Sequence, residues 1–209
     1  MTILSRNDQN GRSMIEMLGV LAIIGVLSVG GISGYSRAMA KYKLTKAQDQ
    51  ITMLLMNIRT AYATSPSYTG LTAQTAADYA IAPGDMIVSN GTGDDATKTL
   101  AGAFGGAVDV SAVKDKEAYF YITMHNLAPE ACRSLLSSDW GADGLVMIQA
   151  AKETTSSDGT STATAPSSSD IPCSDSSKGK FCVQDLPVSL QDAATTCETP
   201  GTYITWVYY

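Results

Sequence analysis

Charged residues make up only 16% of the 209-residue chain, against roughly a quarter in an ordinary soluble domain. The 20 acidic side chains outnumber the 14 basic ones, and no Lys/Arg cluster occurs beyond Arg37 to Lys46. The phosphate-neutralising patch of a nucleic-acid binder is therefore missing, which excludes nucleic acid as the main partner. Histidine occurs once, as His125, and there is no C-x-x-C pair, so the zinc ligand spacings are absent and no metal site is expected. Neither a phosphate-cradling glycine loop nor HExxH nor a nucleophile elbow occurs. Without a catalytic set or a cofactor motif, the chain does not read as an enzyme. Proline is absent before Pro66 and cysteine before Cys132, so the first third has neither of the usual breakers or staples of a small folded domain.

That first third is where the apolar residues gather. From Met17 to Gly34, 18 consecutive residues carry no charge, enough to span about 27 Å as a helix. A buried core helix is a poor alternative, since a domain of this size seldom uses a helix that is apolar all round. A cleaved secretory signal is another, but no clear small-x-small cleavage site ends the run. From Met39 to Ala63 the pattern turns amphipathic with no intervening turn signal. Leu44, Ala47, Ile51, Leu54, Leu55, Ile58 and Tyr62 recur at three- and four-residue steps, with Lys43, Lys46, Gln50, Asn57 and Arg59 mainly on the other side. The spacing predicts one helix of about 50 residues that ends near Ser65 and Pro66 and carries a head.

In front of the apolar run stands Gly11-Arg12-Ser13-Met14-Ile15-Glu16, after a polar leader containing Arg6 and Asp8. This order, followed by about 20 apolar residues, resembles the class III signal of type IV pilins and pseudopilins. The resemblance covers about residues 6 to 63. It implies a leader at 1–11, a pilin helix at 12–65 with its membrane and assembly segment at 14–36, and a globular head at 66–209. It further implies cleavage by a prepilin peptidase after Gly11 on the cytoplasmic side and N-methylation of the new terminus at Arg12, where the family usually has Phe or Met. Ile15, Leu18, Leu21 and Ile24 are the expected apolar assembly contacts. The implied partners are the membrane before assembly, the inner-membrane pilus machinery and identical subunits in a helical homopolymer. The resemblance places the prepilin in a bacterial inner membrane and the product in an extracellular filament for adhesion, aggregation or conjugation.

Glu16 needs a partner, because a carboxylate taken to the membrane centre costs about 2.5 kcal/mol or more. In the family the equivalent Glu pairs with the terminal amine of a neighbouring subunit, here on Arg12. The local alternative is a capping box, with Ser13 as N-cap and Glu16 as its partner. Gly25, Gly30, Gly31 and Gly34 crowd mid-helix positions, reading either as small faces for close packing or as a stretch able to unwind in a filament. Arg6 and Arg12 precede the span and Arg37, Lys41, Lys43 and Lys46 follow it, a count that opposes the orientation the cysteines require.

Beyond Pro66 the chain to about Lys116 reads as an elaborated connection with turns at Pro83-Gly84, Asn90-Gly91 and Gly105-Gly106. Strands are predicted at Tyr119 to Met124, Gly144 to Gln149 and Thr202 to Tyr209, and helices at Pro129 to Ser137 and Pro187 to Cys197. Glu153 to Asp170, almost all Ser, Thr, Asp, Gly and Ala, predicts an exposed mobile loop. Four cysteines allow three pairings, and the pairing expected in an oxidising compartment is Cys132 with Cys197 and Cys173 with Cys182. The long cysteine loop, Ala128-Pro129-Glu130-Ala131-Cys132 and the Phe104-Gly105-Gly106 turn resemble the type IVb pilins. The expected fold is α+β: a long N-terminal helix, apolar in its first half and amphipathic in its second, packed against a mostly antiparallel sheet with two disulfides.

Three minor features read as bland. His125 is a surface or hydrogen-bonded histidine, Asp94-Asp95 a solvated turn rather than a calcium site, and the terminal aromatics part of the core. Two other functions stay open at this level: a minor pilin or pseudopilin of a secretion machine, and an uncleaved signal-anchored binding domain.

Overall fold

The computed structural model describes residues 12–91, 97–141, 143–155, 161–177 and 179–209. The chain forms two compact units, one ending at Tyr42 and one spanning Lys43–Tyr209, and helix α1 (Arg12–Ala61) contributes to both.

In the first unit α1 is helical throughout, as a proline-free stretch rich in Leu, Ile, Met and Ala favours. Every side chain from Met14 to Ala38 is exposed. A Cβ added at Gly19, Gly25, Gly30, Gly31 or Gly34 would meet nothing within 4 Å, so no contact in the described chain requires glycine there.

In the second unit the helix is a core element. Ala47, Ile51, Leu54 and Ile58, spaced by four and three residues, are fully buried, and each of the three larger side chains gains about 1.5–3 kcal/mol from leaving water. They pack on an antiparallel sheet. Its strands are β3 (Val108–Val113), β4 (Lys116–Leu127), β5 (Leu145–Lys152), β8 (Lys180–Cys182) and β9 (Thr202–Tyr208), in the spatial order β3-β4-β9-β5-β8. The C-terminal strand β9 is central, and all seven of its residues are buried. Along it Ile204, Trp206 and Tyr208 join the core cluster that contains Ile51, Leu54 and Ile58, as do Phe120, Ile122 and Met124 of β4 and Ile148 of β5. On the other face Val207 and Met147 pack with Val113 and with Ile171 of the connection leading to β8.

Two short helices flank the sheet. Helix α3 (Pro129–Leu136) and helix α4 (Leu190–Thr196) pack on one another, and a disulfide joins Cys132 of α3 to Cys197 at the end of α4. Ser189 caps α4 by accepting the Asp192 amide at 3.1 Å. A second disulfide joins Cys173 to Cys182, so β8 is tied to the strand-free connection before it.

Three segments differ from their sequence expectation. The stretch from Pro66 to Lys116 is not merely a connection: it holds helix α2 (Ala73–Asp78), with a Thr72/Thr75 capping box, a hairpin of β1 (Ile87–Asn90) and β2 (Thr97–Leu100), and edge strand β3. The hairpin is mostly exposed, so its side chains show no apolar alternation for a sequence reading to detect. Strand β8, three residues long, is below the length at which alternation is visible. Within Glu153 to Asp170, Glu153 and Pro166 are buried, and β6 (Thr154–Thr155) pairs with β7 (Ser161–Thr162). Asp94 and Asp95 lie outside the described residues.

Candidate functional site

Among the described residues, the first half of α1 carries the largest apolar exposure. Ile15, Leu18, Leu21 and Ile24 are between 52% and 75% exposed, and Met14, Met17, Val20, Ile23, Val26 and Leu27 are exposed beside them. Steps of three residues wind back about 60° each time at 100° per residue, so the four named positions alone sweep half the circumference. The intervening apolar residues complete it. This is an all-round surface, not a stripe, and it matches an environment that is apolar on every side.

One carboxylate interrupts that surface. Glu16 is exposed and makes no ion pair among the described residues. Helix α1 is already helical at Arg12, so the backbone of Ser13 lies within its first described turn. Gly11 and the leader lie outside the described residues, as do the side chains of Arg12 and Ser13, and with them the capping-box reading of Ser13 and Glu16.

In the second unit the polar residues of α1 hold the connection that follows it. Gln50 is buried; its Nε2 donates to Oδ2 of Asp85 at 2.8 Å and its Oε1 accepts the Ala103 amide at 2.9 Å. Asn57 donates to the Ile81 carbonyl at 2.8 Å. Burial raises the Asp85 carboxyl pKa, but the bonds from Gln50 and Lys46 more than offset it, leaving the group below its ordinary range. The expectation that Gln50 and Asn57 face away from the core is thus corrected. At 100° per residue they sit about 60° and 80° from the direction of Ala47, close enough for the wrapped connection to reach them. The solvent face is Lys43, as expected, with Thr45, Asp49, Thr52, Met53, Met56 and Thr60.

Nothing in the head is arranged for catalysis among the described residues. Both His125 nitrogens face carboxylates, Asp109 at 2.9 Å and Glu153 at 3.2 Å, which leaves neither free to serve a nucleophile. No group of three His, Cys, Asp or Glu side chains is placed to hold a metal among the described residues. Burial pushes the Tyr208 hydroxyl pKa well up, opposed weakly by the Arg59 charge, so it stays a neutral core group.

Comparison with known proteins gives a family. A family model described as PilS N terminal matches residues 41–180. The major structural subunit of bundle-forming pilus from Escherichia coli O127:H6 is 26% identical over 140 residues, covering 66% of this chain and 69% of that protein. Among solved structures, TcpA, a type IV pilin from Vibrio cholerae El Tor biotype, superposes with a TM-score of 0.52 at 13% identity, covering 80% of this chain and 99% of the other. The type IV b pilin from Salmonella typhi gives a TM-score of 0.48 at 18% identity, over 81% and 98%. With its long apolar helix, antiparallel sheet and two disulfides, the chain has a type IV pilin fold and belongs to the PilS N-terminal family.

Proposed function

We propose that this chain is made as a prepilin, held in the inner membrane by residues 14–36, cut after Gly11 by a prepilin peptidase and N-methylated at Arg12. It then polymerises with identical subunits into a type IVb-like extracellular filament. The observation that carries this reading is the apolar half of α1, exposed on all sides with Glu16 as its one carboxylate. Each large apolar side chain there gains about 1.5–3 kcal/mol on burial, so the helix requires lipid, and then other copies of itself, as its surroundings. A dry bundle of such helices leaves Glu16 in need of a cation, and an α-amine on Arg12, one helical turn earlier, supplies it. The similarity to a major structural subunit favours the filament body over a minor-pilin role.

The test is the intact mass and N-terminal residue of the protein in sheared surface filaments. The expected result is an abundant chain beginning at a methylated Arg12. A chain that retains Met1 to Gly11 overturns the processing reading, and a trace component within filaments made of another subunit overturns the major-subunit reading.

A further inference from the structure

His125, the only histidine in the chain, is buried on β4, with Asp109 of the neighbouring β3 on one side and Glu153, which follows β5, on the other. Its Nε2 lies 2.9 Å from Oδ2 of Asp109, and its Nδ1 lies 3.2 Å from Oε1 of Glu153. A neutral imidazole has one N–H, so it would satisfy one carboxylate and turn a lone pair toward the other; the imidazolium donates to both. The Glu153 carboxylate is itself buried, its side chain 4% exposed, and the same Oε1 accepts the Asn126 amide at 2.6 Å. Among the described residues Tyr203 of β9 is a further titratable neighbour, with its ring centroid 6.5 Å from that of the imidazole. Among the described residues no Lys or Arg pairs with Asp109 or Glu153, so the imidazolium is their counter-charge.

The place of this cluster in the backbone matters. Asn126 takes a left-handed conformation, φ 55°, at the point where the β4–β9 register breaks between Met124 and Leu127. Glu153 follows β5, and its amide donates to the Gly201 carbonyl just before β9. The β6–β7 ladder begins at the next residue, Thr154. We infer that protonated His125 is a pH-sensitive latch: it clamps the β4 irregularity to β3 through Asp109 and to the root of the β6–β7 ladder through Glu153, and loss of its proton releases that root. The bond to Asp109 raises the imidazole pKa, burial opposes it, and the charges of Asp109 and Glu153 add to the rise. With the folded pKa above the ordinary value, the latch is fully closed below about pH 6.5 and opens as pH rises through the folded value.

Because His125 is the sole histidine, its Cε1–H resonance in the full-length protein in micelles is one unambiguous titration. The expected midpoint lies above about 6.5, and Glu153→Gln and Asp109→Asn each move it down. Hydrogen-exchange protection of the Asn126 and Glu153 amides, corrected for intrinsic rate, should fall by up to about tenfold per pH unit between about pH 6.5 and that midpoint, and stay flat outside it. His125→Gln should remove the pH dependence. A wild-type midpoint at or below the ordinary histidine value, or protection that does not change with pH, overturns the latch; both readouts need only the wild-type chain.

Discussion

The Arg59 guanidinium lies over the ring of Tyr208, 5.6 Å from Cζ to the ring centroid, and joins the last turn of α1 to the last residue of the central strand. Its Nη2 also donates to the Asp143 carbonyl at 2.8 Å. Gly144, at φ +71°, leaves it room: a Cβ there would stand 1.9 Å from that same Nη2. One planar cation thus organises a strand end, a helix end and a turn. The partner carboxylate of Asp143 is fully exposed and contributes little by comparison.

Arg59→Met, which keeps the apolar stem, should lower head stability by about 1–2 kcal/mol through loss of the backbone bond and the cation–π contact. Asp143→Ala should leave the urea midpoint unchanged. Gly144→Val should be the most damaging of the three, since it adds a clash to a strained φ. Equal effects of the Arg59 and Asp143 substitutions would show that the surface ion pair, and not the carbonyl bond, is what counts.

Gln50→Leu tests the buried amide in the same way. Leucine suits the helix and the burial, yet it strands the Ala103 amide and takes one bond from Asp85. The expected cost is about 1–3 kcal/mol for the donor left unpaired, read as a shift in the denaturation midpoint without a change in slope. A neutral or stabilising outcome would mean that water or a neighbour replaces the amide.

These two residues also show where a sequence reading stops. The apolar spacing of Ala47, Ile51, Leu54 and Ile58 predicts the core face of α1, because periodicity reports burial directly. It says nothing about a polar side chain at the edge of that face. Gln50 and Asn57 read as solvent-side residues until Asp85, Ala103 and Ile81 of the connection after Pro66 reach them, and Arg59 until Asp143 and Tyr208 do; none of these approaches has a local signature. Strand β9 was legible through its aromatic and β-branched run, whereas its central position was not, since the order β3-β4-β9-β5-β8 is set by tertiary pairing. His125 was visible only as a lone histidine; its carboxylates come from positions 16 residues before and 28 after. The apolar surface of α1, by contrast, is as plain in the sequence as in the structure, because none of the described residues covers it.

The two disulfides differ in the chain they close. Cys132 and Cys197 are 65 residues apart and pin α3 to α4, while Cys173 and Cys182 are 9 apart. Chain entropy assigns them about 4 and about 3 kcal/mol respectively. Replacing both Cys132 and Cys197 by Ser should therefore lower the midpoint more than replacing Cys173 and Cys182, measured by thermal unfolding of otherwise identical chains. The reverse order would mean that Cys173–Cys182 acts chiefly by holding Ile171 against Val113 and Val207, a packing effect that loop length does not count.

Glu16→Val separates membrane insertion from assembly. The substitution makes the span wholly apolar and removes a residue that costs about 2.5 kcal/mol or more at a bilayer centre, so insertion should be unimpaired and processing after Gly11 should continue. What it removes is the one carboxylate on that surface. If the helices pack against each other in a filament, the amine on Arg12 of a neighbouring copy then enters a dry interior with no counter-charge, a penalty of several kcal/mol at every subunit contact. Filament yield should drop by at least an order of magnitude while the cleaved chain accumulates in the membrane, quantified by shearing and by fractionation. Glu16→Asp, shorter by one methylene, should restore part of the yield. Normal filaments from Glu16→Val would show that the helix bundle tolerates an unpaired amine, and would leave the apolar surface alone as the driver of assembly.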